Sequence, residues 1–318
     1  MLRAVLILLI TAWLTACATV AAPPPDKRIA ITFDDIPRHA GQLVERGERA
    51  AMLRAALREA GVQQAAFFLN PASLNDRPEA VADILAYVAD GHVLANHSNS
   101  HPRLSQTDTQ VFIADVDAAE AWISQLDGHR PWFRFPFLDE GGQFPDKRDA
   151  LRAALADRRL LNAGVSVNAS DWYIDDAANK AAASGLAIDQ DRLRRHFVGT
   201  HVEAARFYDD LARRTFGRSP AHVLLLHETD TAAMYVDDLV RALEAEGWTI
   251  IPADEAFADP IYRLRPETGW AGGTIVEQVA WERGIEGERW FAGNRDDVMT
   301  ESFAREVLNA SSAAGSAE

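Results

Sequence analysis

Two short segments hold the residues that could perform chemistry in this chain. Residues 32–35 have the sequence TFDD and place two adjacent aspartates, Asp34 and Asp35, at the end of an apolar run. Residues 97–101 have the sequence HSNSH, with His97 and His101 at its two ends. Two imidazoles and one carboxylate suit a catalytic divalent metal that keeps open coordination positions. The remaining carboxylate is then free to act as a base.

Each segment is weak by itself, and the surrounding sequence strengthens both. Four further Asp-Asp pairs occur in the chain, and most such carboxylates are simply solvated. The pair at 34–35 differs because it ends the alternating run 29–33, which is typical of a half-buried strand. Adjacent carboxylates there repel each other unless a cation or another partner is near. Glycine, asparagine, serine and proline residues within 91–102 indicate a loop after a strand around the two histidines.

Short apolar runs alternate with helical patterns from residue 28 onward. The strand candidates are 28–33, 65–69, 92–96, 132–137, 163–167, 222–227 and 248–252. The clearest helical stripes are 45–60, 78–90, 108–126 and 235–246. This alternation predicts a parallel sheet or barrel with helices outside. The expected fold class is α/β, a deformed (β/α) barrel of about seven parallel strands, formed by a single catalytic domain with a C-terminal extension.

Polar residues fall at the carboxyl ends of these predicted strands. Asp34 and Asp35 follow the first strand, His97 and His101 the third, Arg134 lies in the fourth, Asp171 and Trp172 follow the fifth, and His227 ends the sixth. In a β/α barrel the carboxyl ends of the strands share one face, and that face holds the active site. Five separated segments are therefore expected to converge on one place.

Charge and cysteine content exclude several classes of function. The 318 residues carry a net charge of −15, so nucleic acid and an anionic membrane surface are not expected partners. Apolar residues make up 48% of the chain, which is ample for a core. The single cysteine, Cys17, excludes a disulfide within the chain and any cysteine-based zinc site.

The N-terminus has the pattern of an export signal. Arg3 precedes the apolar run 4–14, and residues 14–17 (LTAC) resemble the bacterial lipobox, in which the cysteine is lipidated. We expect a lipoprotein signal peptide at 1–16, a lipidated Cys17 and a tether at 17–26. The alternative is an ordinary signal peptide with an incidental Cys17. The expected location is the bacterial cell envelope, as an exported lipoprotein on the outer-membrane or periplasmic side if the cell is Gram-negative.

With these residues assembled, residues 27–255 resemble the polysaccharide deacetylase family, also known as the NodB-homology domain or carbohydrate esterase family four. Five short motifs carry the resemblance in the family's order, namely 32–35 (TFDD), 97–101 (HSNSH), 134–137 (RFPF), 171–172 (DW) and 225–227 (LLH). The resemblance implies Asp34 as general base and Asp35, His97 and His101 as ligands of one divalent metal. Zinc is expected there, with Co²⁺, Ni²⁺ or Mn²⁺ as alternatives.

The resemblance also implies roles for the remaining motifs. Arg134 would hold the base, and the backbone N–H of Phe137 would face the oxyanion. Asp171 and Trp172 would form a wall of the pocket, with Asp171 placed to favour a protonated His227. Leu225 would contact the acetyl methyl group, and His227 would act as general acid.

Three positions depart from the family pattern. Ile36 and Leu138 stand where the family usually has glycine, and Asn168 replaces the first aspartate of the fourth motif. The catalytic set is complete, whereas the rim of the pocket differs. Of the other histidines, His39 is a candidate for this rim, and the rest are expected to be structural or superficial.

The chain beyond the catalytic domain, which is assigned to 27–258, breaks the alternating pattern. The extension 259–318 holds Trp270, Trp281 and Trp290, a predicted helix over 274–283 and a low-complexity end, 309–318, that is expected to be disordered. The tryptophans could stack on sugar rings. We favour the interpretation that they pack the extension onto the barrel.

Three functional hypotheses follow. The first is a metal-dependent hydrolase that removes N-acetyl groups from an amino-sugar polymer such as peptidoglycan or chitooligosaccharide. The second is an O-acetyl esterase on a xylan-like glycan, or an amidase on a small non-sugar amide. The third is an envelope lipoprotein that binds glycan without turnover, against which the complete catalytic set weighs. A glycan and, through the lipid anchor, a membrane are the expected partners; no protein partner is predicted.

Overall fold

The computed structural model describes residues 27–45 and 47–308. The expected signal peptide at 1–16, the tether at 17–26 and the low-complexity end at 309–318 lie outside this part of the chain. Among the described residues, no helix is long and apolar enough to cross a membrane. The division of the chain at residue 258 stays a prediction.

Ten strands occur in the described part of the chain. They are β1 Lys27–Ile36, β2 Ala66–Leu69, β3 Val93–Asn96, β4 His129–Phe133, β5 Asp139–Gly142, β6 Leu161–Asn162, β7 Val167–Asn168, β8 Ala221–His227, β9 Trp248–Ile250 and β10 Ala271–Gly272. Eight of them form one sheet with the order β6-β4-β3-β2-β1-β8-β7, and β9 pairs with the start of β1. All pairings in this sheet are parallel.

The sheet curls into a half-barrel with helices around it, so the expected fold class is confirmed. Strand β1 lies at its centre and pairs with β8 along its length, from Arg28 opposite Ala221 to Asp34 opposite His227. Its apolar residues are fully buried on both faces, as in parallel sheets that are covered on both sides. The alternating pattern predicted that this strand would be half-buried, and that prediction is wrong because both faces are buried. The register brings Asp34 and His227 together although they are far apart in the sequence.

The predicted fifth strand, 163–167, is not one regular strand. β6 pairs with β4 and β7 pairs with β8, and residues 163–166 cross between the two edges of the sheet. The N–H of Ala163 donates to the carbonyl of Phe133 at 2.7 Å, and the N–H of Ser166 donates to the carbonyl of Val223 at 3.1 Å. Because buried backbone groups must find partners wherever they lie, a segment that spans both edges cannot form a single ladder.

Helices surround the sheet. They are α1 Arg49–Glu59, α2 Ala80–Ala89, α3 Thr109–Ile123, α4 Pro145–Asp157, α5 Asp171–Ala183, α6 Gln190–Phe216, α7 Asp230–Ala245, α8 Ala253–Ala256, α9 Ile275–Glu282 and α10 Asp296–Glu306. The first three lie within the predicted stripes. α7 begins earlier than the predicted residue 235, because the side chain of Thr229 caps it by accepting from the N–H of Ala232.

The C-terminal extension packs against the loop that follows β4. β10 pairs with β5 in a two-stranded antiparallel sheet, and the predicted helix over 274–283 is α9, which begins with a capping box between Thr274 and Glu277. The three tryptophans of the extension do not contribute much to this packing. Trp270, Trp281 and Trp290 are 66%, 57% and 59% exposed, so the interpretation that they pack the extension onto the barrel is wrong.

Candidate active site

The carboxyl ends of the strands share one pocket of about 420 Å³. The predicted site residues that line it are Asp34, Asp35, His97, His101, Phe137, Trp172, Leu225 and His227. Arg134 and Asp171 do not line it, and each lies fully buried behind a residue that does. Arg134 follows β4, which ends at Phe133, and so lies just beyond the strand in which it was predicted.

The three predicted metal ligands face one another. Nε2 of His101 lies 2.9 Å from Oδ1 of Asp35, and Nε2 of His97 lies 3.4 Å from the same oxygen. Nδ1 of His97 lies 2.9 Å from the backbone carbonyl oxygen of Arg134. As the donor in that hydrogen bond, Nδ1 carries the ring proton and leaves Nε2 free to bind a metal. One ligand atom from each of the three residues lies within 4.8 Å of the others.

The backbone around these ligands is strained. Asp35, Ser98 and His101 have φ values of 66°, 64° and 59°, a left-handed conformation that non-glycine residues rarely adopt. The His97–His101 loop is stabilised from within. The N–H of Ser98 donates to Oδ1 of Asn96 at 2.8 Å, and the N–H of His101 donates to Oγ of Ser98 at 3.1 Å. Such strain costs about 1–3 kcal/mol per residue and clusters at functional sites.

A divalent cation fits the Asp35 carboxylate. Nη1 of Arg38 donates to Oδ2 at 2.8 Å, whereas the buried Oδ1 receives no aligned hydrogen bond from any described residue. Burial raises the pKa of Asp35, but the close approach of His101 and His97 outweighs it and holds the pKa well below its usual range. An ionised carboxylate with a free oxygen beside two imidazole nitrogens is a suitable donor set for one divalent ion.

Asp34 is held by a fully buried arginine. Nη1 of Arg134 donates to Oδ1 of Asp34 at 2.6 Å and to Oγ1 of Thr32 at 2.9 Å, and Nε donates to the carbonyl of Ala163 at 2.9 Å. The guanidinium also lies over the ring of Phe68, at 3.7 Å. Oδ2 of Asp34 lies 3.7 Å from Nε2 of His97. The arginine therefore orients one carboxylate oxygen toward the three-ligand set.

His227 is held by Asp171, which is fully buried at the start of α5. Nδ1 of His227 lies 2.7 Å from Oδ1 of Asp171, and the backbone N–H of His227 donates to Oδ2 at 2.7 Å. Burial lowers the pKa of His227, but the charge and hydrogen bond of Asp171, with a contribution from Asp35, raise it above the ordinary value. Nε2 of His227 faces the site, 3.9 Å from Oδ2 of Asp35.

The apolar walls of the pocket come from Phe137, Trp172 and Leu225. Phe137 has a left-handed φ of 58°, and its half-exposed ring lies 4.4 Å from the ring of His101. Leu138 also has a left-handed φ of 51°. Glycine adopts this conformation easily, so Leu138 keeps it at the cost of strain.

Two cations at the pocket were not identified from the sequence. Arg38 binds Asp35, and the guanidinium of Arg103 lies 3.7 Å over the ring of Phe137. Each follows a metal-ligand motif within three residues, a proximity that was the available signal. His39, a candidate for the rim, is exposed and lines a neighbouring depression instead.

The other histidines of the described chain lie away from the pocket. His92, His201 and His222 are buried, and burial lowers the pKa of His92 to about 4. His222 lies between Ser166 and Asp209 in the fully enclosed core, where no substrate can reach it.

Three solved structures illustrate the similarity to known proteins. A family 4 carbohydrate esterase from Streptomyces lividans in complex with acetate is 19% identical, with 73% of this chain and 96% of that chain covered and a TM-score of 0.48. Peptidoglycan deacetylase PdaC from Bacillus subtilis is 19% identical, with coverage of 74% and 93% and a TM-score of 0.47. The Xyl-CE4 domain of a multidomain xylanase from the hindgut metagenome of Trinervitermes trinervoides is 18% identical, with coverage of 73% and 90% and a TM-score of 0.48.

The sequence supports a family resemblance over part of the chain. Comparison with curated proteins gave no match. Residues 21–154 match the family model described as polysaccharide deacetylase, and this range contains the motifs at 32–35, 97–101 and 134–137. The expected resemblance to the polysaccharide deacetylase family is confirmed over this part of the chain.

Proposed function

We propose that this protein is a metal-dependent hydrolase that removes N-acetyl groups from an amino-sugar polymer of the peptidoglycan or chitooligosaccharide type. The observation that supports this proposal is a pair of buried interactions beside the three-ligand set. Arg134 holds Asp34 next to His97, and Asp171 holds His227 next to Asp35. A base and an acid that are oriented separately around one metal site suit the hydrolysis of an amide.

The metal would be held by Asp35, His97 and His101, with zinc proposed and Co²⁺, Ni²⁺ or Mn²⁺ as alternatives. When bound, it supplies Lewis acidity to the amide carbonyl and lowers the pKa of a water molecule. Asp34 accepts the proton of the attacking water as the new carbon–oxygen bond forms. The backbone N–H of Phe137 donates to the oxygen that becomes negatively charged.

The carbon–nitrogen bond then breaks, and the leaving nitrogen must receive a proton. Nδ1 of His227 is fixed by Asp171, so Nε2 carries the proton that can be transferred. The pKa of His227, which Asp171 raises above its ordinary value, favours the protonated ring. The products are acetate and a free amine, with one water consumed.

The arrangement favours an amide over an ester. An alkoxide leaves readily and needs less help from an acid, whereas an amine must be protonated in order to leave. His227 and its buried partner Asp171 supply that help. O-Acetyl esters of a xylan-like glycan and small non-sugar amides are the alternative substrates, and glycan binding without turnover is the alternative function.

Acetate release from a panel of acetylated compounds tests the proposal. The panel contains N-acetylglucosamine oligomers, acetylated xylan and a small acetamide, each with and without added divalent metal. The Asp34→Asn variant should keep its metal and lose about 10²–10⁴-fold in kcat/KM, because only the base is removed. Near-normal turnover in this variant would place the base elsewhere. Faster turnover of acetylated xylan than of the oligomers would replace the proposed function by the esterase alternative.

We also propose that Cys17 carries lipid and anchors the protein in the bacterial cell envelope. The support is the LTAC sequence at 14–17 after a charged residue and an apolar run. Several acyl chains anchor stably where one does not. Fractionation of wild type against Cys17→Ser tests this, and equal partitioning of the two proteins into membranes would contradict it.

A further inference from the structure

A second, larger cavity adjoins the pocket at the carboxyl ends of the strands, which we call the catalytic pocket because the proposed base and acid line it. It has a volume of about 920 Å³, near the upper end of the roughly 300–1,000 Å³ typical of ligand sites. Phe137, Leu138 and Asn168 line both spaces, so the two lie directly side by side. We call this space the tryptophan cavity, because Trp270, Trp281 and Trp290 of the C-terminal extension line it.

Two of the tryptophans, Trp270 and Trp281, are exposed but contact other residues with part of their rings. The indole of Trp270 lies close to Gly142 and Gly272. A Cβ atom added to Gly142 would lie 3.6 Å from the nearest ring atom of Trp270, and one added to Gly272 would lie 3.5 Å from the ring atom nearest to it. The guanidinium of Arg289 lies 3.6 Å over the ring of Trp281. Trp270 and Trp281 thus each have a supporting contact, although more than half of each side chain stays exposed. Exposed apolar surface that is held in place and clustered in a groove marks a binding site.

The extension is hydrogen-bonded directly to the loop that follows β4. The N–H of Gly273 donates to the carbonyl of Leu138 at 3.1 Å, and β10 pairs with β5 directly after that residue. At the wall of the cavity, the hydroxyl of Tyr208 donates to Oε1 of the partly buried Glu277 at 2.7 Å. These contacts fix the position of the tryptophans relative to the catalytic pocket.

The two spaces differ in the charged side chains that line them. The catalytic pocket contains Arg38 and Arg103, whereas no lysine or arginine occurs among the described residues that line the tryptophan cavity. Glu267 and Glu282 are exposed on its wall. Aromatic faces suit the apolar C–H faces of pyranose rings, and carboxylate oxygens accept hydrogen bonds from hydroxyl or ammonium groups. The acidic wall would repel a uronate or a sulfated sugar.

We propose that the tryptophan cavity binds the sugar units next to the acetylated unit in the catalytic pocket, so that the preferred substrate is an oligomer or polymer of neutral or cationic amino sugars. This inference rests on the proposed function and goes beyond it, because it assigns substrate length and charge selection to the extension. An N-acetyl monomer would occupy only the catalytic pocket.

Binding of the N-acetylglucosamine tetramer to the full-length Asp34→Asn protein tests the inference without turnover. Isothermal titration should show Kd values about 5–30-fold higher when Trp270→Ala or Trp281→Ala is added, the factor expected for loss of 1–2 kcal/mol of stacking. Trp281→Phe should show a smaller increase. Leu186→Ala, which removes an exposed apolar side chain outside both cavities, should leave Kd unchanged.

Two further measurements separate this inference from the proposed function. In the wild-type background, both tryptophan-to-alanine variants should lower the ratio of kcat/KM for tetramer over monomer. If the tetramer releases acetate but neither alanine variant changes this ratio or Kd, the cavity does not hold sugar and the proposed function stands. If the tetramer binds through the tryptophans but releases no acetate, the proposed function is wrong and the sugar site remains. Tighter binding of a galacturonate tetramer than of the N-acetylglucosamine tetramer would overturn the proposed occupant.

Discussion

The catalytic pocket and the tryptophan cavity lie side by side and are stabilised in opposite ways. In the catalytic pocket, charged groups are fixed from behind by buried partners, Arg134 for Asp34 and Asp171 for His227. In the tryptophan cavity, Trp281 lies on the short helix α9 and Trp270 directly precedes β10, and all three tryptophans keep more than half of their surface exposed.

The difference follows from what each space has to do. Proton transfer needs donors and acceptors held to within a few tenths of an ångström, so buried ion pairs and strained backbone are tolerated there. Stacking on a sugar needs exposed aromatic surface, which a buried side chain cannot offer. Substitutions should therefore affect reaction and stability strongly in the first space and weakly in the second.

The largest effect is expected for His97→Ala. This change removes an imidazole from the three-ligand set, and metal affinity should fall by more than about 100-fold, since even changes to residues that support a ligand cost 10–100-fold. Metal analysis of the purified protein and acetate release measure the loss. His39→Ala, at an exposed histidine, is the matched control and should retain both the metal and acetate release. Equal metal content in the two variants would remove His97 from the site.

Asp171→Asn should lower kcat/KM by about 10²–10⁴-fold, because the amide cannot stabilise a protonated His227. The metal content should stay at the wild-type level, since Asp171 contacts none of the three predicted ligands. Steady-state kinetics on an N-acetylated oligomer, alongside metal analysis, provide the test. A variant that kept full activity would show that His227 needs no buried partner.

Arg134→Met should reduce the free energy of unfolding by about 3–5 kcal/mol, because it leaves the buried Asp34 carboxylate without its cation. Arg38→Gln should cost less than about 1 kcal/mol, since its ion pair with Asp35 is partly exposed. Urea unfolding of both variants measures the two values. Equal losses would mean that burial does not distinguish these two arginines.

Trp281→Ala should change the free energy of unfolding by only about 0.5 kcal/mol or less, as is usual for surface substitutions. Its side chain is mostly exposed, and the indole is covered chiefly by Arg289. The same urea experiment applies. A loss comparable to that of Arg134→Met would show that the tryptophan is a packing residue after all.

Much of the catalytic pocket was predictable because its signals are local. The TFDD and HSNSH segments hold ligands that are close in sequence, and the strands that precede them have recognisable apolar patterns. The rule that strand ends of one barrel share a face then brought Asp34, His97 and His227 together. The register between β1 and β8 places Asp34 opposite His227 in agreement with that expectation.

Other features depended on contacts between distant parts of the chain. Residues 163–166 pair with two edges of the sheet, so no local apolar pattern could show that the predicted strand is divided. The contact of Arg38 with Asp35 requires the turn after β1, and the position of Arg103 over Phe137 joins two loops. Whether a tryptophan packs or stays exposed depends on what lies opposite it, which composition does not reveal.

The sequence by itself determined the resemblance to the polysaccharide deacetylase family, the fold class and the candidate donor set, because motif spacing and hydrophobic period are properties of a short stretch of chain. Only the tertiary structure decided which carboxylate each cation holds, how the backbone at Asp35 and His101 is strained, and that the extension's tryptophans open beside the catalytic pocket. The physical reason is that burial and pairing are set by non-local packing, in which each side chain's surroundings come from segments far away in sequence.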